Sequence, residues 1–338
     1  MTSGSIHLNT DIKERVSSFL VGDRKRKKIG DKVFHGLVLG TAAYTLFIIV
    51  IVVFSVGVGS AKIFSHEGFI GFVTGTNWNA VEGRESYGAL PYIIGTLMSS
   101  GIALLIGVPM SLGIAFFLAE MAPSRLSSPL SFVIELLAAV PSIIYGLWAL
   151  FVFRFLIKDW IETPLYNTLG PYIPFFNQAP FGLDVFSAGI VLAIMIIPIV
   201  SSISRDVMKA VPDTQREAAY SLGATRWETS RMAVFPYGKS GLLGASILGL
   251  GRAVGETMLV TLIIGNAIGP SAIPTTLFSQ SQTLSSLIAN EFNEASSDLQ
   301  LSALIGLGAV LLILTMIINI GARLMVSKMV KVSPGVRE

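Results

Sequence analysis

The chain contains no cysteine, only three histidines (His7, His35 and His66) and little charge: 13% of its 338 residues are Asp, Glu, Lys or Arg, against roughly 25% in ordinary soluble domains. Without cysteine there are no disulfides, thiolate zinc sites, iron–sulfur clusters or cysteine nucleophiles. The histidines are scattered and none belongs to an H-E-x-x-H motif, which argues against a metal-dependent membrane protease. The shortage of charge excludes more. At roughly 150 residues per domain the length would allow two soluble domains. With 52% hydrophobic residues and a mean hydropathy of +0.70, both would have too little charged surface to stay dissolved. The composition is that of a polytopic membrane protein.

What is abundant is long apolar runs. A bilayer span needs about 20 mostly apolar residues, and six stretches qualify: Val33–Gly59, Leu90–Ala119, Pro129–Phe153, Leu183–Ile203, Tyr237–Ile264 and Leu299–Leu324. The first is too long for a signal-peptide core and is expected to be a mature span. Pro109, Pro141 and Pro198 lie inside stretches longer than the hydrocarbon thickness, so tilted or kinked helices are expected.

Basic residues set the orientation, because positive charge is retained on the cytoplasmic side. With Lys239 and Arg323 counted in the loops they adjoin, the segments before span one, between spans two and three, between four and five, and after six hold 8, 1, 6 and 4 of them, 19 of the 24. The opposite side has Lys62, Arg84 and Lys158, with Arg154 at a helix edge and Arg252 inside span five. Both termini are therefore expected to be cytoplasmic. The run Arg24-Lys25-Arg26-Lys27-Lys28 beside the first span reads as a topology anchor touching anionic lipid rather than a nucleic-acid patch.

The segment Arg205–Pro236 is the longest polar stretch between spans and carries helix signals. Thr214 followed by Glu217 fits a capping box, Ala218 and Ala219 favour helix, and Gly223 sits where a left-handed turn would end it. A second box, Thr225 to Glu228, opens another helix that Pro236 is expected to end. Such a loop is either a well-capped connector on the membrane surface or a docking element whose small residues let a partner approach closely. Gly238-Lys239-Ser240 copies the end of a nucleotide-binding loop, but Ala233 stands at its first glycine and a span follows. If the chain serves an ATP-driven process, another subunit supplies the energy.

Span five contains Gly251-Arg252-Ala253-Val254-Gly255-Glu256-Thr257. Its glycines, four apart, would make a flat strip for another helix. Arg252 and Glu256 have the same spacing and would share a helical face. Charges at mid-membrane generally face a bundle interior or a water path. The two form either a self-neutralising structural pair or, since Arg before Glu is the poorer order, a site whose guanidinium fork meets an oxyanion. Glu135 precedes Pro141, which should kink span three; it is either an interhelical or snorkelling carboxylate or part of a pathway.

These strings resemble a known family. Glu217-Ala218-Ala219, Gly223-Ala224 and Val234-Phe235-Pro236 are similar to the EAA loop of ABC-importer permeases. Gly249-Leu250-Gly251-Arg252-Ala253-Val254-Gly255-Glu256-Thr257-Met258 looks like the span-five signature of phosphate-importer permeases. The run Glu135 to Trp148, Ala89 to Leu97 and Ile264-Gly265-Asn266 resemble the PstC rather than the PstA type. The resemblance covers roughly residues 75 to 325.

It implies an all-α, six-span permease of the type I ABC-importer fold in the cytoplasmic (inner) membrane. The chain would divide into a cytoplasmic segment 1–32, a first span and outside loop 33–89, a permease core 90–325 with its coupling loop at 206–236, and a tail 326–338. It implies no catalysis and no cofactor in this chain, with ATP and Mg bound by a PstB-type ATPase dimer. The remaining partners would be a PstA-type permease, a PstS-type extracytoplasmic binding protein, phosphate and lipid, but no nucleic acid. Arg252, Glu256 and Glu135 would line the substrate path, and Glu217, Ala218, Ala219 and Gly223 would couple to the ATPase. An importer of sulfate, molybdate or another oxyanion is the nearest alternative. A secondary transporter carrying protons through Glu256 and Glu135 is the rival from another class.

Overall fold

The computed structural model describes residues 7–329 apart from position 82, with side chains described over residues 31–327. The chain divides after Val58 into two units. The fold is almost wholly helical. Helix α1 (His7–Glu67) is apolar enough to cross a membrane from Asp31 onward; the side chains of the basic run Arg24 to Lys28 within it lie outside the described set. A short α2 (Phe69–Thr74) leads to a small antiparallel hairpin, β1 (Trp78–Asn79) and β2 (Ser86–Tyr87), with Trp78 opposite Tyr87.

Helix α3 (Leu90–Phe116) is prolonged by a π-helical turn over Phe117–Met121. Helix α4 (Ser124–Ala138) ends just before Pro141, and α5 (Ser142–Trp148) begins just after it. The line continues through π-helical turns into α6 (Arg154–Ile157) and α7 (Thr163–Leu169), bent by 90° from α4. Proline cannot donate the hydrogen bond that would carry the helix across, so the expected kink is a full break. Then come α8 (Val185–Lys209), α9 (Asp213–Ser221), α10 (Arg226–Thr229), α11 (Phe235–Gly255), α12 (Met258–Ile263), α13 (Leu284–Glu291) and α14 (Asp298–Met329).

Among the described residues four helices are long and apolar enough to span a membrane, or five if the pair bent at Pro141 is one span. The stretch Tyr237–Ile264 is not among them. Glycines, Lys239 and Arg252 dilute the apolarity of α11, and its helix stops at Gly255.

Helices α3 and α8 pack at the centre of the second unit, where a Cβ added at Gly189 would sit 2.6 Å from Ile102. Glycine is what lets the two backbones come that near without a clash. Val191, Leu192, Ile196, Leu259 and Ile263 are buried around this contact. A second cluster gathers Phe72, Trp78, Tyr87, Tyr92, Leu287 and Leu304. There Trp78 Nε1 donates to Glu291 at 2.7 Å. A third, smaller cluster of Ala115, Met208, Val211, Val234 and Leu242 joins the ends of α3 and α8 to α11 and the turn before it.

Candidate functional site

The segment expected to couple to a partner begins where α8 ends. The expected box at Thr214 does not form: Pro212 occupies the cap position in extended backbone, no side chain caps α9, and Thr214 falls inside the first turn. Asp213 supplies the favourable negative charge at the helix start instead. The end of α9 is as the sequence indicates. Gly223 has φ +82, its N–H reaches the Tyr220 carbonyl at 2.9 Å, and Ala224 N–H reaches Ala219 at 3.2 Å. This is the paired closure of a Schellman motif. Glu217, Ala218 and Leu222 are exposed, whereas Ala219 is buried within the chain, so the outward surface is Glu217 and Ala218 without Ala219.

Arg216 fastens α9 to the spans. Its guanidinium donates to Glu120 in the π-helical turn after α3 (2.9 Å), to Asp213 (3.1 Å) and to the carbonyls of Val211 (2.6 Å) and Met208 (2.8 Å). The hydrogen bond to Glu120, with the charges of Glu120 and Asp213, makes it hold its proton more firmly still.

The second box is present: Thr225 and Glu228 cap each other reciprocally, and the hydrogen bonds from Thr225 lower the Glu228 carboxyl below its ordinary range. The helix it opens does not end at Pro236. A π-helical turn over Ser230–Val234 joins α10 directly to α11, with Pro236 in the first turn of α11. The wider turn accommodates a residue that lacks an N–H. Gly238-Lys239-Ser240 lies inside α11, not on a strand-to-helix turn.

Span five departs from its expected geometry. Backbone at Glu256 turns extended (ψ 130), so Arg252 and Glu256 do not share a helical face. Glu256 is 8% exposed; its Oε1 accepts the Leu259 N–H at 3.4 Å and its carbonyl accepts the Ser285 hydroxyl at 2.8 Å. It caps the start of α12. Arg252 is exposed on the last turn of α11, and among the described residues no carboxylate pairs with it. The pairing inferred from spacing fails because the helix ends between the partners. Gly251 and Gly255 have nothing within 4 Å of an added Cβ, so among the described residues none packs on that strip.

Glu135 does have a cation. Arg205, near the end of α8, donates to it at 2.9 Å and to Asp206 at 2.8 Å. The sequence reading missed Arg205 by counting it as a loop residue. The available signal was that the helical pattern of α8 continues without a breaker to Lys209. The structure thus gathers Glu135 with Arg205, and Glu217 with Ala218 and Gly223, while leaving Arg252 apart from Glu256 and Glu135. Among the described residues no group of three or more His, Asp or Glu side chains is arranged to hold a metal ion.

Comparison with known proteins follows this geometry. The family described as "Binding-protein-dependent transport system inner membrane component" matches residues 107–331. The phosphate transport system permease protein PstC of Haemophilus influenzae is 48% identical over 86% of this chain and 91% of its own length. The protein of that name from Mesorhizobium japonicum is 41% identical over 90% and 92%. Among solved structures, a bacterial alginate ABC transporter in complex with an alginate pentasaccharide-bound periplasmic protein matches 89% of this chain and 96% of its own, with a TM-score of 0.56 and 15% identity. An inward-facing MetNI methionine ABC transporter matches 69% and 92%, with a TM-score of 0.50 and 15% identity. Those two likenesses concern the fold alone. The chain belongs to the binding-protein-dependent transport system inner membrane components, and among them to the PstC-type permeases.

Proposed function

We propose that this chain is one of two permease subunits of an ATP-driven importer of inorganic phosphate in the cytoplasmic (inner) membrane. It contributes half of the path, performs no catalysis and binds no cofactor itself. A PstB-type ATPase pair binds ATP and Mg, a PstA-type permease forms the other half, and a PstS-type protein delivers phosphate. The observation that carries the reading is the coupling segment: an exposed, closed helix bearing Glu217 and Ala218 and locked to the spans through Arg216. A helix so placed receives force from a partner and passes it on. Similarity to PstC permeases over most of the chain supports phosphate as the cargo.

In this mechanism ATP closes the ATPase pair and draws the two coupling segments together, and the spans rock outward. Phosphate enters a cavity to which Arg252 contributes a planar, fully charged fork suited to an oxyanion. Gly251 and Gly255 let the second permease approach closely on the same stretch. Glu256 shapes the path by fixing the break at its head, and Glu135 by holding Arg205. Hydrolysis returns the spans to the inward-open state.

The test is reconstitution of the four-component system in vesicles, measuring phosphate uptake and ATP hydrolysis with and without loaded binding protein. Phosphate-dependent stimulation of both supports the reading. Hydrolysis indifferent to phosphate, with no uptake, overturns it; stimulation by sulfate or molybdate alone moves the cargo to another oxyanion.

A further inference from the structure

Glu162 and Asp184 are both fully buried, on opposite sides of a contact between the helical stretch that follows span three and the start of α8. Glu162 Oε1 accepts the Ser187 hydroxyl at 2.7 Å, and Asp184 Oδ1 caps α8 by accepting the Ser187 N–H at 2.8 Å. That leaves one oxygen on each carboxyl, Glu162 Oε2 and Asp184 Oδ2, buried with no donor to bond. The two side chains are within hydrogen-bonding reach of each other. Two bare carboxylates in that position would repel at close range in a medium that screens poorly, and each would keep a lone pair unsatisfied. A single proton between them removes both problems.

The neighbours do not offer another way out. Lys158 lies one turn before Glu162 and is the charged neighbour acting on it, but it is partly exposed and forms no ion pair with either carboxyl. Arg154, a turn further back, has a buried Nε without a partner and stacks over Phe155. On the α8 side the facing groups are the Ser187 hydroxyl and N–H. From the preceding loop the amide of Gly182 faces Glu162 as a donor, which leaves Asp184 Oδ2 as the oxygen still wanting a proton. The segment packed behind Val185 and Phe186 offers the Ser279 and Leu277 carbonyls, which carry no charge.

We propose that Glu162 and Asp184 form a proton-binding site, holding one shared proton that latches the outer extension of span three to the head of span four. The latch is tight by construction. Gly182, at φ +75, lets the loop press so near that an added Cβ would lie 2.8 Å from the Arg154 carbonyl. Asp184 stands outside α8 as its cap and meets Glu162 across the Ser187 side chain and N–H. External alkalinity would therefore open the latch without touching the coupling segment or Arg252. The inference goes beyond the importer reading and does not depend on what is carried.

The experiment is infrared difference spectroscopy on the purified transporter, comparing wild type with D184N and with E162Q. Both substitutions keep a hydrogen-bonding group in place, and Asn still caps Ser187. A protonated-carboxyl band should be present at about pH 6, be lost by about pH 10, and be missing from both variants at neutral pH. In each variant the new amide donates to the remaining carboxylate and keeps it ionised. Absence of the band from wild type at about pH 6 would overturn the proposal, as would a band unaltered in both variants. So would a band that appears only when sodium and potassium are replaced by a bulky organic cation, because a metal ion would then hold the pair. If one variant fails to assemble, the other carries the comparison.

Discussion

Arg216 and Glu120 lie 96 residues apart in sequence and meet at 2.9 Å, with only 15% and 7% of their side chains exposed. The pair ties α9 to the end of span two. Breaking such a largely buried pair by removing one partner costs about 3–5 kcal/mol, enough to loosen α9 while the apolar spans stay packed. Arg216→Ala should leave membrane insertion intact and sharply reduce phosphate uptake, with ATP hydrolysis continuing without stimulation by the loaded binding protein. Stimulated hydrolysis and uptake at wild-type levels in vesicles would show that the pair transmits nothing.

Gly223 tests the same segment through the backbone. An added Cβ there meets open space, so the penalty for a side chain comes from the left-handed φ alone, about 1–2 kcal/mol for a β-branched residue. Gly223→Val should impair transport, whereas Gly223→Asn, which tolerates this conformation, should retain most of it. Equal loss in both would point to a size limit imposed by the docked partner rather than to the turn.

For Arg252 and Glu256 the geometry changes the expected mutant pattern. A helical pair would predict mutual rescue on neutralising both. Since Glu256 caps Leu259 instead, Glu256→Gln keeps an acceptor and should cost only about 1 kcal/mol, whereas Arg252→Gln should abolish most uptake. The double variant should be as poor as Arg252→Gln alone. Uptake assays at matched levels of assembled complex decide this, and recovery in the double variant would restore the paired reading.

Local signals were the legible part of this sequence. Pro141 marked a break, Gly223 a left-handed turn and Thr225 with Glu228 a cap, because each is decided by a few neighbouring residues and the backbone. Thr214 misled because Pro212, with φ fixed near the cap value, took the start of the helix two residues earlier. The pairing of Arg252 with Glu256 misled because spacing carries meaning only while the helix lasts. Nothing in Gly255-Glu256-Thr257 taken alone says that Ser285, 29 residues on, will hold the broken backbone. Glu135 with Arg205, and Glu162 with Asp184, are contacts between distant segments, which depend on how α4, α8 and the stretch after span three come together.

The unbroken run from Arg226 through the π-helical turn to Gly255 makes a single rod of 30 residues, roughly 45 Å long. One end lies beside α9 and the other carries Arg252. A tilt of about 5° about the α9 end would carry the far end sideways by about 4 Å, a distance comparable to the size of a small oxyanion. In the proposed importer, a modest rotation imposed at the α9 end would thus be magnified into a sideways shift where Arg252 sits.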